Sequence, residues 1–455
     1  MLSEALEHAR SNRQTYLNQL FDFLRIPSIS TLAEHVPDMR RAAEWLATDM
    51  RRVGMKSVEI LPTDGHPVVY GEWLDAGSEA PTVLVYGHYD VQPVDPLDLW
   101  DSPPFEPEVR DGKLYARGAS DDKGQLFTHV KAVESILASG GKLPINVKMF
   151  FEGEEEIGSQ HLTPFVLANT DRLAADSTVI SDGQVISADQ PSITYGLRGM
   201  AYMEIKVRGP KRDLHSGSYG GSIHNPAQVV GEIIASLHDK NGHILIPGFY
   251  DKVRSISDEE RELLNQVPDG LENWQKETGL KEPWGEPDFS LIERVSSRPT
   301  CEVNGIWGGF QGKGMKTIIP AEAGAKISMR LVADQDPFEI ADLFTEHVKR
   351  VASDSVEVEV NRLSTDWPAF TPIDSQEMQA ASKAYEAVWG VAPVFTRTGG
   401  TIPIVAVLQK ELNAPTAFIG FGLDDNIHAP NENFVVDHFY KGIETIIHYY
   451  YDLAR

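Results

Sequence analysis

The sequence predicts an α/β protein: a mostly parallel sheet flanked by helices, interrupted by a smaller α+β domain. Three observations carry that reading. Short continuous apolar runs recur between amphipathic stretches, as expected of strands buried on both faces. After Gly196-Leu197-Arg198-Gly199 apolar and polar residues alternate instead, which marks half-exposed antiparallel strands. The chain also has 455 residues, more than one hydrophobic core ordinarily organises.

In chain order, residues 2–24 read as an amphipathic helix, with Tyr16, Leu17, Leu20, Phe21 and Leu24 on one stripe, and residues 38–53 as a second. The run Thr82-Val83-Leu84-Val85-Tyr86 marks a buried strand; a helix over 125–138 and buried strands over 145–151 and 177–180 follow. Strands alternating with helices in this way argue for a parallel sheet with helical crossovers. In the middle segment, residues 201–207, 323–332 and 356–360 predict antiparallel strands, with helices over 226–237 and 337–352. From Gln376 the helix-then-strand rhythm resumes, and it closes in a helix over 437–453. The division is therefore 1–198, 199–371 and 372–455, with the two outer parts forming one domain. The stretch 255–299 is polar, rich in Pro and Trp, and fits neither period.

Composition excludes several classes of function. With 67 acidic against 41 basic residues the formal net charge is −26, which argues against polyanionic partners, whether nucleic acid or membrane surface. Cys301 is the one cysteine, so no intrachain disulfide can form and a thiolate-rich metal site is excluded. That suits a reducing compartment. The N-terminal residues lack the apolar core of a signal peptide, and no apolar run approaches a membrane span. The expectation is a cytoplasmic protein.

Six stretches carry chemistry: Gly87-His88-Tyr89-Asp90, Ser120-Asp121-Asp122-Lys123-Gly124, Glu152-Gly153-Glu154-Glu155-Glu156, Ser181-Asp182-Gly183, Asp213-Leu214-His215-Ser216-Gly217 and Asn426-Ile427-His428-Ala429-Pro430. Several sit at or after a predicted strand, where α/β sheets gather their ligands. A spacing of two in extended chain points His88 and Asp90 the same way, so Asp90 can accept the ring N–H of a metal-bound His88. Asp121-Asp122 before a helix reads equally as a capping turn, but a carboxylate there can bridge two cations. The acidic run 154–156 follows an apolar strand; such runs are ordinarily solvated, yet at a buried strand end they repel one another unless cations absorb the charge. Oxygen and imidazole donors without thiolate suit Zn²⁺, Mn²⁺ or Co²⁺. Two His, two Asp and one Glu hold two ions, and a second Glu remains as base, an inventory that points to hydrolysis.

These motifs resemble one family, the dinuclear-zinc peptidases that include carnosine dipeptidases, carboxypeptidase G, acetylornithine deacetylases and succinyl-diaminopimelate desuccinylases. The resemblance covers essentially the whole chain in motif order and spacing. The dipeptidase branch fits best, through Ser192-Ile193-Thr194-Tyr195-Gly196-Leu197-Arg198-Gly199, Arg298-Pro299-Thr300, Asn304-Gly305-Ile306-Trp307-Gly308-Gly309 and Lys316-Thr317-Ile318-Ile319-Pro320. The resemblance implies that His88 and Asp182 hold one zinc, that Glu156 and His428 hold the other, and that Asp121 bridges them. It implies Glu155 as general base, Asp90 as the group orienting His88, and His215 as an oxyanion donor reaching a partner subunit's site. Arg330 would grip the substrate carboxylate, assisted by Thr317 and the Gly399-Gly400-Thr401 loop; that branch often has Ser where Thr401 stands, and both offer a hydroxyl. An alignment shifted by one would make Glu154 the base; Ile157-Gly158-Ser159 after the run favours Glu155. The family also implies a catalytic domain interrupted by a lid domain through which a homodimer forms.

The expected activity is a metal-dependent dipeptidase acting on short peptides with a free C-terminal carboxylate. A deacylase of N-acyl amino acids would use the same site. A non-catalytic peptide or metal binder on this fold and a two-metal phosphatase are the remaining rivals.

Overall fold

Four apolar runs become adjacent parallel strands. Asn146–Glu152, Thr82–His88, Ser177–Ile180 and Thr416–Ile419 lie side by side in that order, and nearly every residue in them is buried. That is why they read as unbroken apolar runs: helices cover both faces of such a sheet. Antiparallel strands extend it on both sides, Val68–Trp73 and then Lys56–Leu61 beyond Asn146–Glu152, and Ser192–Leu197 beyond Thr416–Ile419. The sheet is thus parallel at its centre and antiparallel at its flanks. Its parallel register places His88 opposite Glu152 and Tyr86 opposite Ile180, so two strands end level and Asp182, two residues past the end of the third, follows at the same edge. The helix Lys123–Gly140 is buried almost all round, as a helix packed between other layers must be.

The computed structural model describes residues 1–267, 270–400 and 402–455. They divide into two compact units, one of residues 1–195, 371–396 and 407–455 and one of residues 196–370 and 397–406. The short segment 397–406 therefore packs with the second unit although the chain around it belongs to the first.

The second unit is built on an antiparallel sheet in the order Thr300–Gly308, Glu322–Leu331, Gly199–Arg208 and Glu357–Asp366. Burial along Gly199–Arg208 alternates residue by residue. Ala201, Met203, Ile205 and Val207 face one way with Ile327 and Met329, against the apolar stripes of helices Pro226–Ala235 and Pro337–Val351.

Two local expectations differ from the structure. Residues 2–24 form two helices, Leu2–Ser11 and Arg13–Leu24, with the break at Asn12 (φ −105, ψ 9), whose side chain and backbone N–H both donate to the His8 carbonyl, at 2.9 and 3.1 Å. Among the described residues, the unassigned stretch 255–299 holds three short helices, Asp258–Leu264, Leu271–Thr278 and Leu291–Ser296. Two are started by serine caps, Ser257 and Ser290, the latter in a reciprocal capping box with Glu293. No helix among the described residues is long and apolar enough to cross a membrane.

Candidate metal centre

The level strand ends of the first unit set the geometry. His88 is the last residue of its strand and is fully buried. Its Nδ1 lies 3.2 Å from the Asp90 carbonyl oxygen and 3.4 Å from Asp90 Oδ1, a contact that directs Nε2 the opposite way. There Asp121 Oδ1 stands 3.0 Å away and Asp182 Oδ2 3.8 Å away. Asp121 comes from the turn before helix Lys123–Gly140, through a cis peptide bond to Asp122. Its second oxygen, Oδ2, is 2.8 Å from His428 Nε2, and that nitrogen is 3.2 Å from Glu156 Oε2. Two triads that could each hold a metal ion result, His88–Asp121–Asp182 and Asp121–Glu156–His428, each with its candidate donor atoms within 4.8 Å of one another. Asp121 belongs to both. His428 is held in left-handed backbone (φ 59), as are Asn426 and Asn431 in the same loop. For a non-glycine residue that conformation costs about 1–3 kcal/mol and persists only where the surroundings impose it.

Around these ligands runs a set of side chains that fix them. The Asp90 carboxylate accepts the backbone N–H of Glu155 at 3.3 Å and of Glu156 at 3.1 Å, so it secures the acidic turn as well as facing the His88 ring. Gln92 donates to Glu156 Oε2 at 2.7 Å. Glu154 is turned elsewhere: its carboxylate accepts the His66 N–H at 3.0 Å and meets His161 Nδ1 at 2.9 Å. Asp122 heads the helix without capping it; its Oδ2 instead accepts the His88 N–H at 3.2 Å. Ser181, beside Asp182, contacts the buried ring of His129 at 2.7 Å. Glu432 bonds the turn that carries Asp121. Neither His129 nor Glu432 is marked in the sequence by more than its residue type, and only the fold brings them here.

The electrostatics are those of a site built for cations. Burial opposes charge on His88, but the carboxylates of Asp121 and Asp90 outweigh it and hold its pKa well above the ordinary imidazole value. Hydrogen bonding to Asp121 and Glu156 raises His428 to about 10. Burial, with Asp121 adding to it, pushes Asp182 up to about 7. Burial and the carboxylates of Asp182, Glu156 and Asp121 push Glu155 up to about 8, against the pull of His88. His88 Nε2, although buried, makes no hydrogen bond of acceptable geometry while two carboxylates converge on it. A divalent ion fits that unpartnered nitrogen, once its proton is lost, and this donor set.

A testable consequence concerns protons. The pKa values of His88, His428 and Asp182 are all raised, so protons compete with metal at this site, and each group must lose its proton to bind a metal. Metal uptake there is expected to release about two to three protons, with affinity rising as pH rises toward the His428 value of about 10. Calorimetry in buffers of different ionisation enthalpy measures this. Uptake without proton release would place the metals elsewhere.

The remaining candidate residues lie in the second unit. His215 ends the strand Leu214–His215, and its Nδ1 accepts the Gly217 N–H at 3.0 Å. In the neutral ring the proton therefore sits on Nε2, leaving that nitrogen as a donor. The carbonyl of Thr317 accepts the Ser216 N–H at 3.0 Å, which sets Thr317 beside His215. Arg330 stands opposite Thr300 and Met200 in the antiparallel sheet. Burial and the nearby Arg330 charge push the Arg198 guanidinium down to about 10. Arg198 also braces a loop: its Nε donates to the Gly399 carbonyl at 3.2 Å and its N–H to that of Gly400 at 3.1 Å. Thr401 lies outside the described residues.

Comparison with known proteins gives concordant results. Residues 84–452 match the profile of peptidase family M20/M25/M40. The chain is 32% identical over 471 aligned positions to the Cys-Gly metallodipeptidase dug1 of Schizosaccharomyces pombe, covering 100% of this chain and 98% of that protein. It is 31% identical to the Beta-Ala-His dipeptidase of Homo sapiens, covering 100% and 93%. Among solved structures it resembles an M20 family metallo-carboxypeptidase from Sulfolobus solfataricus, with a TM-score of 0.81, 34% identity and coverage of 96% and 99%.

Proposed function

This chain belongs to peptidase family M20/M25/M40, and we propose that it is a metal-dependent dipeptidase cleaving short peptides that carry a free C-terminal carboxylate. The observation that carries the reading is the pair of triads sharing Asp121: His88 and Asp182 complete one ion's ligands, Glu156 and His428 the other's. Two bound divalent ions, zinc in our reading, supply a polarised carbonyl and a water acidic enough to react near neutral pH.

The chain's own residues do the rest. Glu155 takes a proton from the attacking water and returns it to the leaving amine. Burial and neighbouring carboxylates raise its affinity for that proton, which suits a group that must hold the proton and then give it up. Glu154 is engaged by His66 and His161, which favours Glu155 as the base. Asp90 holds the His88 ring and, through the N–H groups of Glu155 and Glu156, keeps base and ligand in register with it. To His215, whose Nε2 is the free donor, we assign the oxyanion. To Arg330, with the nearby charge of Arg198, we assign the substrate carboxylate, with Thr317, Gly399, Gly400 and Thr401 assisting. Both assignments require the second unit, from this chain or a second copy, to meet the first. The edge strand Thr300–Gly308 leaves Val303 and Ile306 exposed, which supports a homodimer joined through that unit. With one free cysteine and no apolar span we place the enzyme in the cytoplasm.

Metal-stripped protein resupplied with zinc, manganese or cobalt is expected to cleave a dipeptide panel that includes Cys-Gly and β-Ala-His. The likeness to the Sulfolobus metallo-carboxypeptidase favours a second reading, removal of the C-terminal residue from longer peptides. Tripeptides and pentapeptides in the same panel separate the two. Cleavage of N-acetyl amino acids with dipeptides untouched would instead establish a deacylase.

A further inference from the structure

Asp121 must present one oxygen to each triad, so the turn that carries it has to be held on a fixed line. Glu432 does the holding. It is fully buried, and each of its oxygens accepts two hydrogen bonds. Oε1 accepts the backbone N–H of Ser120 at 2.9 Å and of Asp121 at 3.1 Å. Oε2 accepts the Gly118 N–H at 3.1 Å and Arg117 Nη1 at 2.8 Å. Arg117, itself buried, is anchored by a bond from Nη2 to the Pro93 carbonyl at 2.9 Å and lies over the Trp100 ring. Burying an ion pair seldom adds net stability over an apolar alternative, so stability alone is a poor reason to place one behind this turn.

The position of Glu432 in the chain supplies a better reason. It lies in the loop that carries His428, so one side chain ties the His428 loop to the Asp121 turn. Two of the three ligands in the Asp121–Glu156–His428 triad depend on that tie, against one of three in His88–Asp121–Asp182. We propose that Glu432, held by Arg117, is a positioning residue that fixes Asp121 relative to His428 and so governs binding of the second ion selectively. The inference rests on the reading that Asp121 bridges two ions.

The test is a calorimetric titration of metal-stripped, full-length protein with zinc, alongside thermal melting of the metal-free form. Glu156→Ala and Asp182→Ala, each removing a ligand of one triad, identify which binding event belongs to which. In Glu432→Gln the amide turns donors toward backbone N–H groups that need an acceptor. The event lost in Glu156→Ala is then expected to weaken roughly 10–100-fold, the range for residues that orient metal ligands, while the other changes far less. A merely structural role would lower the melting temperature and weaken both events in parallel, overturning the proposal. Should Glu432→Gln not fold, Arg117→Lys keeps the charge but loses the Pro93 anchor, and it is expected to weaken the same event by a smaller factor. An unchanged ratio of the two affinities in the variant that folds overturns the inference and leaves the dinuclear site standing. Uptake of a single ion by the unaltered protein overturns the bridging reading, and this inference with it.

Discussion

Glu155→Gln is expected to lower kcat by about 10²–10⁴-fold, the range for loss of a positioned general base, with KM little changed and two metal ions still bound. The substitution preserves the shape of the side chain, and the backbone N–H of residue 155 still reaches Asp90 Oδ1. What disappears is the ability to accept a proton. The pH profile should respond as well. A carboxyl pushed up to about 8 sets an ascending limb in activity as pH rises, and bound cations shift that limb lower by offsetting the neighbouring carboxylates. The limb should vanish in the amide variant. Activity that survives the change with both metals in place would remove Glu155 from the mechanism. Glu154→Gln is the companion measurement: its carboxylate is engaged by His66 and His161, so it should affect folding of the turn more than turnover.

Asp121→Ala carries the largest expected effect on metal content. Each of the other four candidate ligands belongs to one triad, whereas Asp121 belongs to both, and its loss should weaken both binding events together. Even groups standing behind ligands cost 10–100-fold in affinity, so at least about 100-fold at each site is expected for a shared ligand. Metal analysis after dialysis, set beside Asp182→Ala and Glu156→Ala, checks this. Two ions retained in Asp121→Ala would contradict the bridging geometry.

Residues differ sharply in how much the sequence discloses about them. The strands at Thr82–His88, Asn146–Glu152 and Ser177–Ile180 are legible because burial on both faces demands unbroken apolar runs. The nearness of His88 and Asp90 is legible too, because residues two apart in extended chain point the same way, although the ring's hydrogen bond is to the Asp90 carbonyl, with the carboxylate at 3.4 Å. The second task of Asp90, accepting the N–H groups of Glu155 and Glu156, is not, since it depends on two parallel strands ending level. Glu432 is invisible for the same reason: nothing local links it to the turn at Gly118–Asp121 that it bonds. The break at Asn12 is hidden beneath an apolar stripe that runs straight through it. The caps at Ser257 and Ser290 were available as Ser-x-x-Glu signals, but the helices they start are too short to show a period.

The order of strands also dictates an order of manufacture. Thr416–Ile419 lies between Ser177–Ile180 and Ser192–Leu197, two strands made close together and long before it. While the second unit is being translated, roughly ten seconds or more at ribosomal rates, the first unit has an open slot in the middle of its sheet. The slot is edged by two strands with unpaired backbone groups, the kind of edge on which chains aggregate. The nascent protein therefore depends on its own last sixth to close the sheet, and the same stretch delivers His428. A chain ending anywhere in the second unit would lack both the strand that fills this slot and His428.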